Sequence, residues 1–458
     1  MTDAGDMQDG QGFMRDMTEG SLRRHIIKYA VPMILGNIMQ LTYNAVDSVI
    51  IGKFLGEQAL AAVSISNPVM TLLILGASGI GIGASVLLSR FYGAGDLERL
   101  KRGFSTTLIF SLFFSLAVFA AGSILTPRVL LWVRTPVVVL PMARIFLRIV
   151  LFGFLFTFQY NILAAAMRSI GDSRTPVMAL GASCLLNVGL DLLFVAGLKL
   201  GVAGAGLATA ISEAVSAALC LWWIRTRIPV LHLARNEIVM DRRLLSQILR
   251  SGALTALQQS AQPIGKLLIQ SVINAQGVTA IGAFNAVCRL DDFACIPSQS
   301  IGSGIMTCTA QNFGAGKKDR VRRCFSVGVQ TGLMYWPCIL LGFFILGRPA
   351  LQLLTPDGSV EMIRMGTEYL SVKAWILVMA CVNNAIQGYF RGLGRMRVVL
   401  AATCIQISIR ALCVMAWVPQ IGIRGEAYGC LTGWVVQCIF ELTWLAVLRR
   451  RNAEMPGL

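Results

Sequence analysis

Runs of about twenty apolar residues follow one another along most of this 458-residue chain. A run of that length, wound as an α-helix, crosses the hydrocarbon layer of a membrane. Closed β-barrels need shorter segments in which apolar and polar residues alternate, and that pattern is absent from the sequence. The sequence therefore predicts an all-α integral membrane protein.

The composition agrees with this class and excludes others. The chain is 55% hydrophobic and 14% charged, with a mean hydropathy of +0.68, whereas soluble domains carry roughly 25% charged residues. Its formal charge of +17 is typical of basic residues collected in cytoplasmic loops. No predicted loop is long enough for a nucleic-acid-binding domain, so we expect no nucleic-acid partner. Most of the 12 cysteines lie inside apolar runs, which favours buried thiols over disulfides.

Hydropathy predicts about twelve transmembrane helices. Their approximate limits are 29–51, 59–89, 104–126, 142–167, 177–198, 203–224, 248–274, 280–309, 325–347, 368–390, 398–418 and 426–448. The predicted organisation is an N-terminal tail (1–28), an N-lobe (29–224), a linker (225–247), a C-lobe (248–448) and a C-terminal tail (449–458).

The distribution of basic residues predicts the orientation of these helices. If the N-terminus is cytoplasmic, about 27 Lys and Arg residues fall on the cytoplasmic side and about 7 to 9 on the other. Positive charge favours the cytoplasmic side, so we expect a multi-pass protein of the cell (plasma) membrane with both termini in the cytoplasm. Residues 1–24 are polar and the first apolar run is long, so we expect no cleavable signal peptide.

The two halves of the chain form an internal repeat at an offset of 221 to 223 residues. Residues 59–103 resemble residues 280–324, and further matches are Tyr92-Gly-Ala-Gly95 with Phe313-Gly-Ala-Gly316, Arg168-Ser-Ile-Gly171 with Arg391-Gly-Leu-Gly394, and Gly201 and Gly204 with Gly422 and Gly425. Each half holds about six spans, so the halves share one orientation and are related by an axis along the membrane normal. This architecture suits transport by alternating access around a cleft between the halves.

Polar residues within the predicted spans of the N half share helix faces. Helix one carries Gln40, Tyr43, Asn44 and Asp47 at steps of three and four, helix five carries Asn187 and Asp191, and helix six carries Thr209 and Glu213. In lipid, such faces must point at protein or at a water-filled cavity. Burial favours the neutral form of a carboxyl group, so these acids can bind a proton, or their oxygens can ligate a hard cation. The structural alternative is that Asp47 and Asp191 only cap or bridge helices.

The C half has a different polar pattern. Helix seven carries Gln258, Gln262, Lys266 and Gln270 at steps of four. Lys266 either contacts substrate or pairs with Asp291, and we expect Lys373 to extend toward the outer interface. At the repeat offset Asp47 faces Leu268, and Asp191 faces the apolar stretch 412–414. We therefore expect the acidic site in the N half only.

Two further features are open to more than one interpretation. Pro32 is either a bend point of helix one, linked to Asp47, or an ordinary first-turn proline. Gly76 and the glycines that follow it in helix two are typical of close helix packing. No lysine-serine phosphate loop follows them, so we expect no direct use of ATP. His25 and His232 lie apart and form no metal-ligand cluster, and we expect neither enzymatic activity nor a cofactor.

Several motifs resemble those of the MATE (multidrug and toxic compound extrusion) family. They are Val46-Asp47-Ser-Val-Ile-Ile-Gly52, Leu55-Gly56, Ala59-Leu-Ala-Ala-Val-Ser64, Phe91-Tyr-Gly-Ala-Gly95, Arg168-Ser-Ile-Gly-Asp172 and Gly201-Val-Ala-Gly-Ala-Gly206. The resemblance covers nearly the whole chain and is closer to the prokaryotic DinF-like branch than to the eukaryotic one.

This resemblance implies twelve helices in two pseudo-symmetric six-helix lobes, and efflux of drugs or metabolites in exchange for protons or sodium ions. The family's cation site maps onto Asp47, Asn187, Asp191 and Thr209, which makes these residues candidates for coupling to H⁺ or Na⁺. Gln40, Tyr43, Asn44, Gln258, Gln262 and Lys266 are candidates for the substrate cavity. Some members place carboxylates on helices seven and ten, where this chain has Lys266 and Lys373.

Three functions remain open at this point. The first is a secondary antiporter, acting as a monomer, that exports small amphipathic or cationic molecules. The second is a flippase for an anionic lipid-linked precursor, which the basic residues of the C half favour. The third is a channel or sensor, and the pseudo-twofold halves with intramembrane carboxylates argue against it.

Overall fold

The computed structural model describes residues 16–355 and 358–454. Within them lie twelve α-helices: α1 Leu22–Leu55, α2 Glu57–Gly93, α3 Leu97–Trp132, α4 Leu140–Ser169, α5 Arg174–Asp191, α6 Gly201–Arg227, α7 Arg242–Asn274, α8 Val278–Gly314, α9 Lys318–Leu354, α10 Val360–Gly392, α11 Met396–Ile421 and α12 Arg424–Glu454. Residues 1–15 of the predicted N-terminal tail and 455–458 of the predicted C-terminal tail lie outside the described residues. The predicted all-α fold of about twelve helices in two six-helix lobes is confirmed.

The helices are longer than the apolar runs that predicted them. For example, the predicted span 325–347 lies inside α9, which runs from Lys318 to Leu354. In the described part of the chain, nine helices are long and apolar enough to cross a membrane. The other three, α1, α7 and α8, contain polar residues that the sequence analysis singled out, and these residues lower their hydropathy.

The repeated glycines mark equivalent helix boundaries in the two halves. Gly95 follows α2 with φ +72°, and its repeat partner Gly316 follows α8 with φ +69°. Gly171 and Gly394, which follow α4 and α10, have φ +85° and +61°. Residues that carry a side chain rarely adopt these backbone angles, whereas glycine adopts them freely and often ends helices. The sequence repeat therefore corresponds to a repeat of helix ends.

Contacts divide the chain into two compact units. The first unit comprises 16–19, Val31–Ala256 and Ala310–Gly316, and the second comprises Gly20–Ala30, Leu257–Thr309 and 317–454. The start of α1 thus belongs to the second unit, and the end of α8 belongs to the first. Helix α1 passes from one unit to the other between Ala30 and Val31, next to Pro32, which lies inside the helix.

Each unit contains buried apolar clusters that hold its polar helices in place. In the first unit, Ile51 of α1 packs with Val63 of α2 and Phe146 of α4. In the second unit, Phe284 of α8 packs with Tyr369 of α10. Between helices in lipid, tight van der Waals packing supplies the stability that burial from water supplies in soluble proteins. These clusters fix the rotation of α1 and α10 and hence the direction of their polar residues.

The predicted linker is part of the first unit and packs against α3. It contains two short 3₁₀ turns, Pro229–Leu231 and Arg235–Glu237. Ser105 Oγ donates to the Val239 carbonyl oxygen at 3.0 Å and accepts from the Val239 N–H at 2.9 Å. The Lys101 ammonium donates to the Glu237 carboxylate at 2.8 Å. The linker is therefore bonded to a transmembrane helix and is more than a spacer between the halves.

Candidate functional site

The structure brings together the four residues predicted to bind the coupling cation. Asp47 extends from α1, Asn187 and Asp191 from the end of α5, and Thr209 belongs to α6. The Asp47 and Asp191 carboxyl groups lie within hydrogen-bonding distance of each other. In the amide orientation that satisfies both groups, Asn187 Nδ2 donates to Asp191 Oδ2 at 2.9 Å, and Asn187 Oδ1 accepts from the Thr209 backbone N–H at 3.3 Å.

The local backbone explains how Asp191 reaches this position. Asp191 is the last residue of α5 and is followed directly by a π-helical turn, Leu192–Gly197. Such wide turns are rare, occur frequently at functional sites, and rotate the residues beside them relative to a regular helix. Asp191 is fully buried. The sequence predicted a regular span, 177–198, around Asp191 and no π-helical turn.

The acid pair contains two acceptor atoms without donors. Asp47 Oδ1 and Asp191 Oδ1 are buried, and neither has a hydrogen-bond partner among the described residues. Two ionised carboxylates cannot bond each other, because each is only an acceptor. A proton shared between them, or a cation beside them, turns this repulsive contact into an attractive one. The arrangement is suited to reversible binding of one positive charge.

The hydroxyl hydrogen of Thr209 is used within its own helix. Its Oγ1 donates to the Ala205 carbonyl oxygen of the same helix at 3.1 Å. Thr209 therefore contributes mainly through its backbone N–H, which fixes the amide of Asn187. The resemblance implied a role for the hydroxyl, which stays a prediction.

Two further residues belong to the same polar region. Tyr43, one turn before Asp47 on α1, lies close to the charges of Glu213, Asp47 and Asp191. Glu213, one turn after Thr209 on α6, has a buried Oε2 without a hydrogen-bond partner. Glu213 and Thr209 share a helix face, as predicted from their spacing, but Glu213 was not among the residues predicted to bind the cation. Glu213 is therefore a further buried acid in the surroundings of Tyr43.

The described residues offer this site no recognisable transition-metal centre. Among them there is no group of three or more His, Cys, Asp or Glu side chains that could hold a metal ion. The candidate ligands at Asp47, Asn187, Asp191 and Thr209 are oxygen-bearing, as hard cations require. These oxygens are suited to a proton or a hard cation.

The residues predicted to line a substrate cavity have different degrees of exposure. Gln40 and Asn44 of α1 are exposed, and Gln262 and Lys266 of α7 are exposed as well. Gln258 is buried, where its Nε2 donates to Thr403 Oγ1 at 3.2 Å and its Oε1 accepts from Arg391 at 2.8 Å. Gln258 therefore belongs to a buried hydrogen-bond network between α7, α10 and α11.

The ion pairs of the second unit differ from those expected. Lys266 bonds Asp292 at 2.7 Å, so the pairing of Lys266 with Asp291 is wrong. Asp291 lies 3.5 Å from Lys373 instead. Adjacent residues on a helix point about 100° apart, and the rotation of α8 directs Asp291 toward α10 and Asp292 toward α7.

Lys373 does not extend toward the membrane interface, and that expectation is also wrong. Only 2% of its side chain is exposed, and its Nζ lies 3.2 Å from Glu426 Oε2. Tyr369 donates to the same carboxylate, and the Arg410 guanidinium bonds its other oxygen. Partners this close remove the need for the lysine to reach water.

Buried acids are therefore not confined to the N half, contrary to expectation. Glu426 and Glu441, both on α12, are fully buried in the second unit. The repeat comparison missed them because it examined only the positions equivalent to Asp47 and Asp191. With Lys373, Arg410 and Asp291, Glu426 forms a network of two cations and two anions, whose charges balance within the protein.

The fold and the buried polar groups together define a membrane transporter built from two repeated six-helix halves. Residues 32–193 and 255–415 match the model of the MatE family. The match spans more than half of the chain and both repeats, and the chain belongs to this family.

Similar proteins agree with this assignment. The chain is 27% identical over 413 residues to "Probable multidrug resistance protein YpnP" of Bacillus subtilis (strain 168), a match that covers 89% of this chain and 92% of that protein. It is 24% identical over 384 residues to the "FAD transporter" of Shewanella oneidensis, covering 83% and 82%. A solved outward-facing structure of a multidrug resistance MATE family transporter of the MOP superfamily is 22% identical, with a TM-score of 0.87, and covers 96% of this chain and 98% of that one. At this identity the structural match shows the fold.

Proposed function

We propose that the protein is a secondary antiporter that exports small amphipathic molecules, chiefly cations, across the cell membrane in exchange for protons. The observation that carries the proposal is the contact between the Asp47 and Asp191 carboxyl groups in the interior of a transmembrane unit. Its relatives named as multidrug resistance and multidrug export proteins support the direction of transport and the kind of substrate.

The acid pair supplies a physical basis for exchange. When both carboxylates are ionised they repel each other, and a bound proton or a cationic substrate relieves that repulsion. Because either one satisfies the same charge, the two compete, and binding of a proton favours release of the substrate. Each charge that crosses the whole membrane potential supplies roughly 2.3 kcal/mol per 100 mV. This is enough to bias a conformational equilibrium by a factor of tens.

The orientation of Asn187 favours a proton over a sodium ion. In the amide orientation that satisfies both groups, its Nδ2 faces Asp191 and its Oδ1 accepts from the Thr209 N–H, which turns the amide oxygen away from the carboxylate. A sodium ion needs several oxygen ligands arranged around it, as other hard cations do, whereas a proton needs only the two carboxyl groups.

Purified protein in liposomes, with imposed pH or sodium gradients and a panel of labelled cationic ligands, tests the proposal. We expect a pH gradient to drive uptake against the ligand gradient, and Asp47→Asn and Asp191→Asn each to abolish it. Asp319→Asn is the matched control, because Asp319 is an exposed residue in the first turn of α9. If a sodium gradient drives transport and a pH gradient does not, the coupling ion is sodium and not the proton.

The flippase alternative was favoured by the basic residues of the C half, and these residues are paired with acids. Lys266 is bonded to Asp292, and Lys373 and Arg410 are bonded to Glu426. These basic residues of the second unit are neutralised by acids and do not form a free anion site. We therefore propose export of small molecules and not movement of an anionic lipid-linked precursor.

We also propose that both termini and the 225–247 linker lie in the cytoplasm, because basic residues concentrate there. A single cysteine at Asn236, in an otherwise cysteine-free variant, should react with an impermeant reagent only in inside-out vesicles. Reaction in intact cells would invert the topology without affecting the proposed coupling. We propose a monomer as the working form, because one chain supplies both halves of the repeat.

A further inference from the structure

A second buried carboxyl group, in the second unit, has features that a purely structural acid lacks. Glu441 on α12 is fully buried. Gln437, one turn earlier, donates from Nε2 to Glu441 Oε1 at 3.1 Å. Glu441 Oε2 is buried and has no hydrogen-bond partner among the described residues. One oxygen of this acid is therefore fixed and the other is left open.

Glu426 on the same helix is a buried acid in which both carboxylate oxygens have hydrogen-bond partners. Its Oε2 is bonded by Tyr369 and Lys373, and its Oε1 is bonded by Arg410. Both oxygens of Glu426 have cationic partners, which fixes its charge. In the described part of the chain Glu441 has no Lys or Arg nitrogen within ion-pair distance of its carboxyl group, although it is equally buried.

Arg391 of the neighbouring helix α10 interacts electrostatically with Glu441. The two side chains form no direct ion pair. The Arg391 guanidinium is held elsewhere, since it donates to Gln258 Oε1 at 2.8 Å and to Gln387 Oε1 at 3.3 Å. On its own helix, Glu441 has Cys438 as its titratable neighbour. Helix α11 also packs against α12; its charged residues are Arg397, near the start of the helix, and Arg410, which is bonded to Glu426. The surroundings thus place one positive charge near Glu441 without neutralising it through a direct bond.

The first unit shows that the fold does not require an acid at this position. At the repeat offset of 221, Glu441 corresponds to Cys220 of α6, and Arg391 corresponds to Arg168 of α4 at an offset of 223. Cys220 is fully buried and interacts electrostatically with Arg168, as Glu441 does with Arg391. The same helix pair is therefore built with a neutral thiol in one half and a carboxyl group in the other. A carboxyl group that packing does not demand, with an open oxygen, calls for another explanation.

We propose that Glu441 Oε2 is a second proton-binding site, which loads and releases a proton during the transport cycle. A proton fits because it needs a single oxygen and turns that oxygen into a donor. A sodium ion needs several oxygens, and Gln437 contributes its N–H to Glu441. Loss of the proton leaves a carboxylate that attracts Arg391, and gain of the proton releases that attraction. Arg391 also donates a hydrogen bond to Gln258 on α7. A change in the charge of Glu441 therefore changes the force on a residue that connects α10 to α7.

The inference rests on proton coupling as the proposed function, but proton binding at Glu441 is measurable without transport. Infrared difference spectra of the purified protein, recorded as pH is stepped, detect the C=O stretch of each protonated carboxyl group. We expect Glu441→Gln to remove one component that appears and disappears within the pH range of transport. Asp47→Asn should remove a different component, and Asp319→Asn should affect only an exposed carboxyl group. In liposomes, Glu441→Gln should lower the number of protons exchanged per substrate.

Glu441→Cys separates loss of function from loss of folding, because the first unit already accepts Cys220 at the equivalent position. It should yield folded protein that lacks the same infrared component. A spectrum unchanged by both substitutions, or a component of Glu441 that does not change with pH, would overturn the inference and leave the Asp47–Asp191 site untouched. If the Glu441 component changes with pH but transport shows no proton coupling, Glu441 binds a proton as proposed and the proposed proton-coupled function is wrong.

Discussion

Gly93, the last residue of α2, packs against the backbone carbonyl oxygen of Gln311 on α8. The repeat reproduces this contact with the roles exchanged, because Gly314, the last residue of α8, packs against the carbonyl oxygen of Arg90 on α2. Gly93 and Gly314 belong to the matching Gly-Ala-Gly motifs, and all four residues belong to the first unit. The motif that revealed the repeat in the sequence is therefore also a close helix contact, in which a Cβ atom at either glycine would overlap a carbonyl oxygen.

This contact predicts that Gly93→Ala destabilises the protein. The added methyl group would overlap the Gln311 backbone, and overpacking of this kind costs about 1–3 kcal/mol. Gly76→Ala on the same helix is the matched control, because a Cβ atom there meets open space. Replacing glycine in a helix without a clash stabilises by about 0.4–1 kcal/mol. Melting temperatures of the purified variants should therefore move in opposite directions, and equal shifts would contradict the contact.

The network around Glu426 predicts a large effect of Arg410→Met. The substitution leaves one buried oxygen of Glu426 without its partner, and breaking a buried pair costs about 3–5 kcal/mol. We expect loss of most folded protein, measured as the monodisperse fraction after purification. Arg410→Met combined with Glu426→Gln should recover much of it, because the unpaired negative charge is gone. A single variant as stable as the parent would show that the network does not hold the second unit together.

The linker predicts a pH dependence of its docking to α3. The hydrogen bond from Lys101, with a second from the Ala234 N–H, lowers the pKa of Glu237 below its ordinary value. A lowered pKa stabilises the docked state above the ordinary value, and this stabilisation is lost as the pH falls through the lowered pKa. Protease cleavage in 225–247 should therefore accelerate in acid. In Glu237→Gln this acceleration should disappear, and in Glu98→Gln, a change at an exposed pair with Arg102, it should persist.

The half-exposed pair of Lys266 and Asp292 predicts a change in substrate preference. Lys266→Gln leaves Asp292 without its positive partner, so cationic ligands should gain over zwitterionic and anionic ones. Exposed pairs contribute up to about 1 kcal/mol, so we expect a shift of about fivefold at most. Adding Asp292→Asn should restore the original order, with coupling intact in both variants. An anionic flavin nucleotide belongs in the ligand panel, since one relative is named an FAD transporter. An unchanged order in both variants would place the pair outside the substrate path.

The sequence predicted the fold because its two strongest signals are independent of helix rotation. Apolar runs give the number and approximate position of the spans, and the repeat gives their grouping into halves. The candidate coupling site was also within reach, since Asp47, Asn187 and Asp191 are polar residues in otherwise apolar helices. The π-helical turn after Asp191 was not predictable, because no residue pattern distinguishes Leu192–Gly197 from the regular helix before it.

The ion pairs of the second unit depend on which way each helix faces, and hydropathy does not fix that. Asp291 and Asp292 are adjacent in sequence, yet they bond to residues on different helices. Between Glu368 and Arg391, Lys373 is the one charged residue of α10, so the sequence favoured a path to water, whereas the structure supplies Glu426 from α12. Glu441 was missed because the two halves were compared only at the positions of Asp47 and Asp191, and its own equivalent in the first half is Cys220.

The central claim is that the Asp47–Asp191 pair couples substrate export to proton movement. The most direct test records the pH change in liposomes while a cationic substrate is transported by the wild-type protein and by Asp47→Asn and Asp191→Asn. We predict that substrate movement and proton counter-movement occur together in the wild type and that both are lost in each variant, while Asp319→Asn behaves as the wild type. Proton-coupled export at the wild-type rate in the Asp47→Asn, Asp191→Asn double variant would contradict the account.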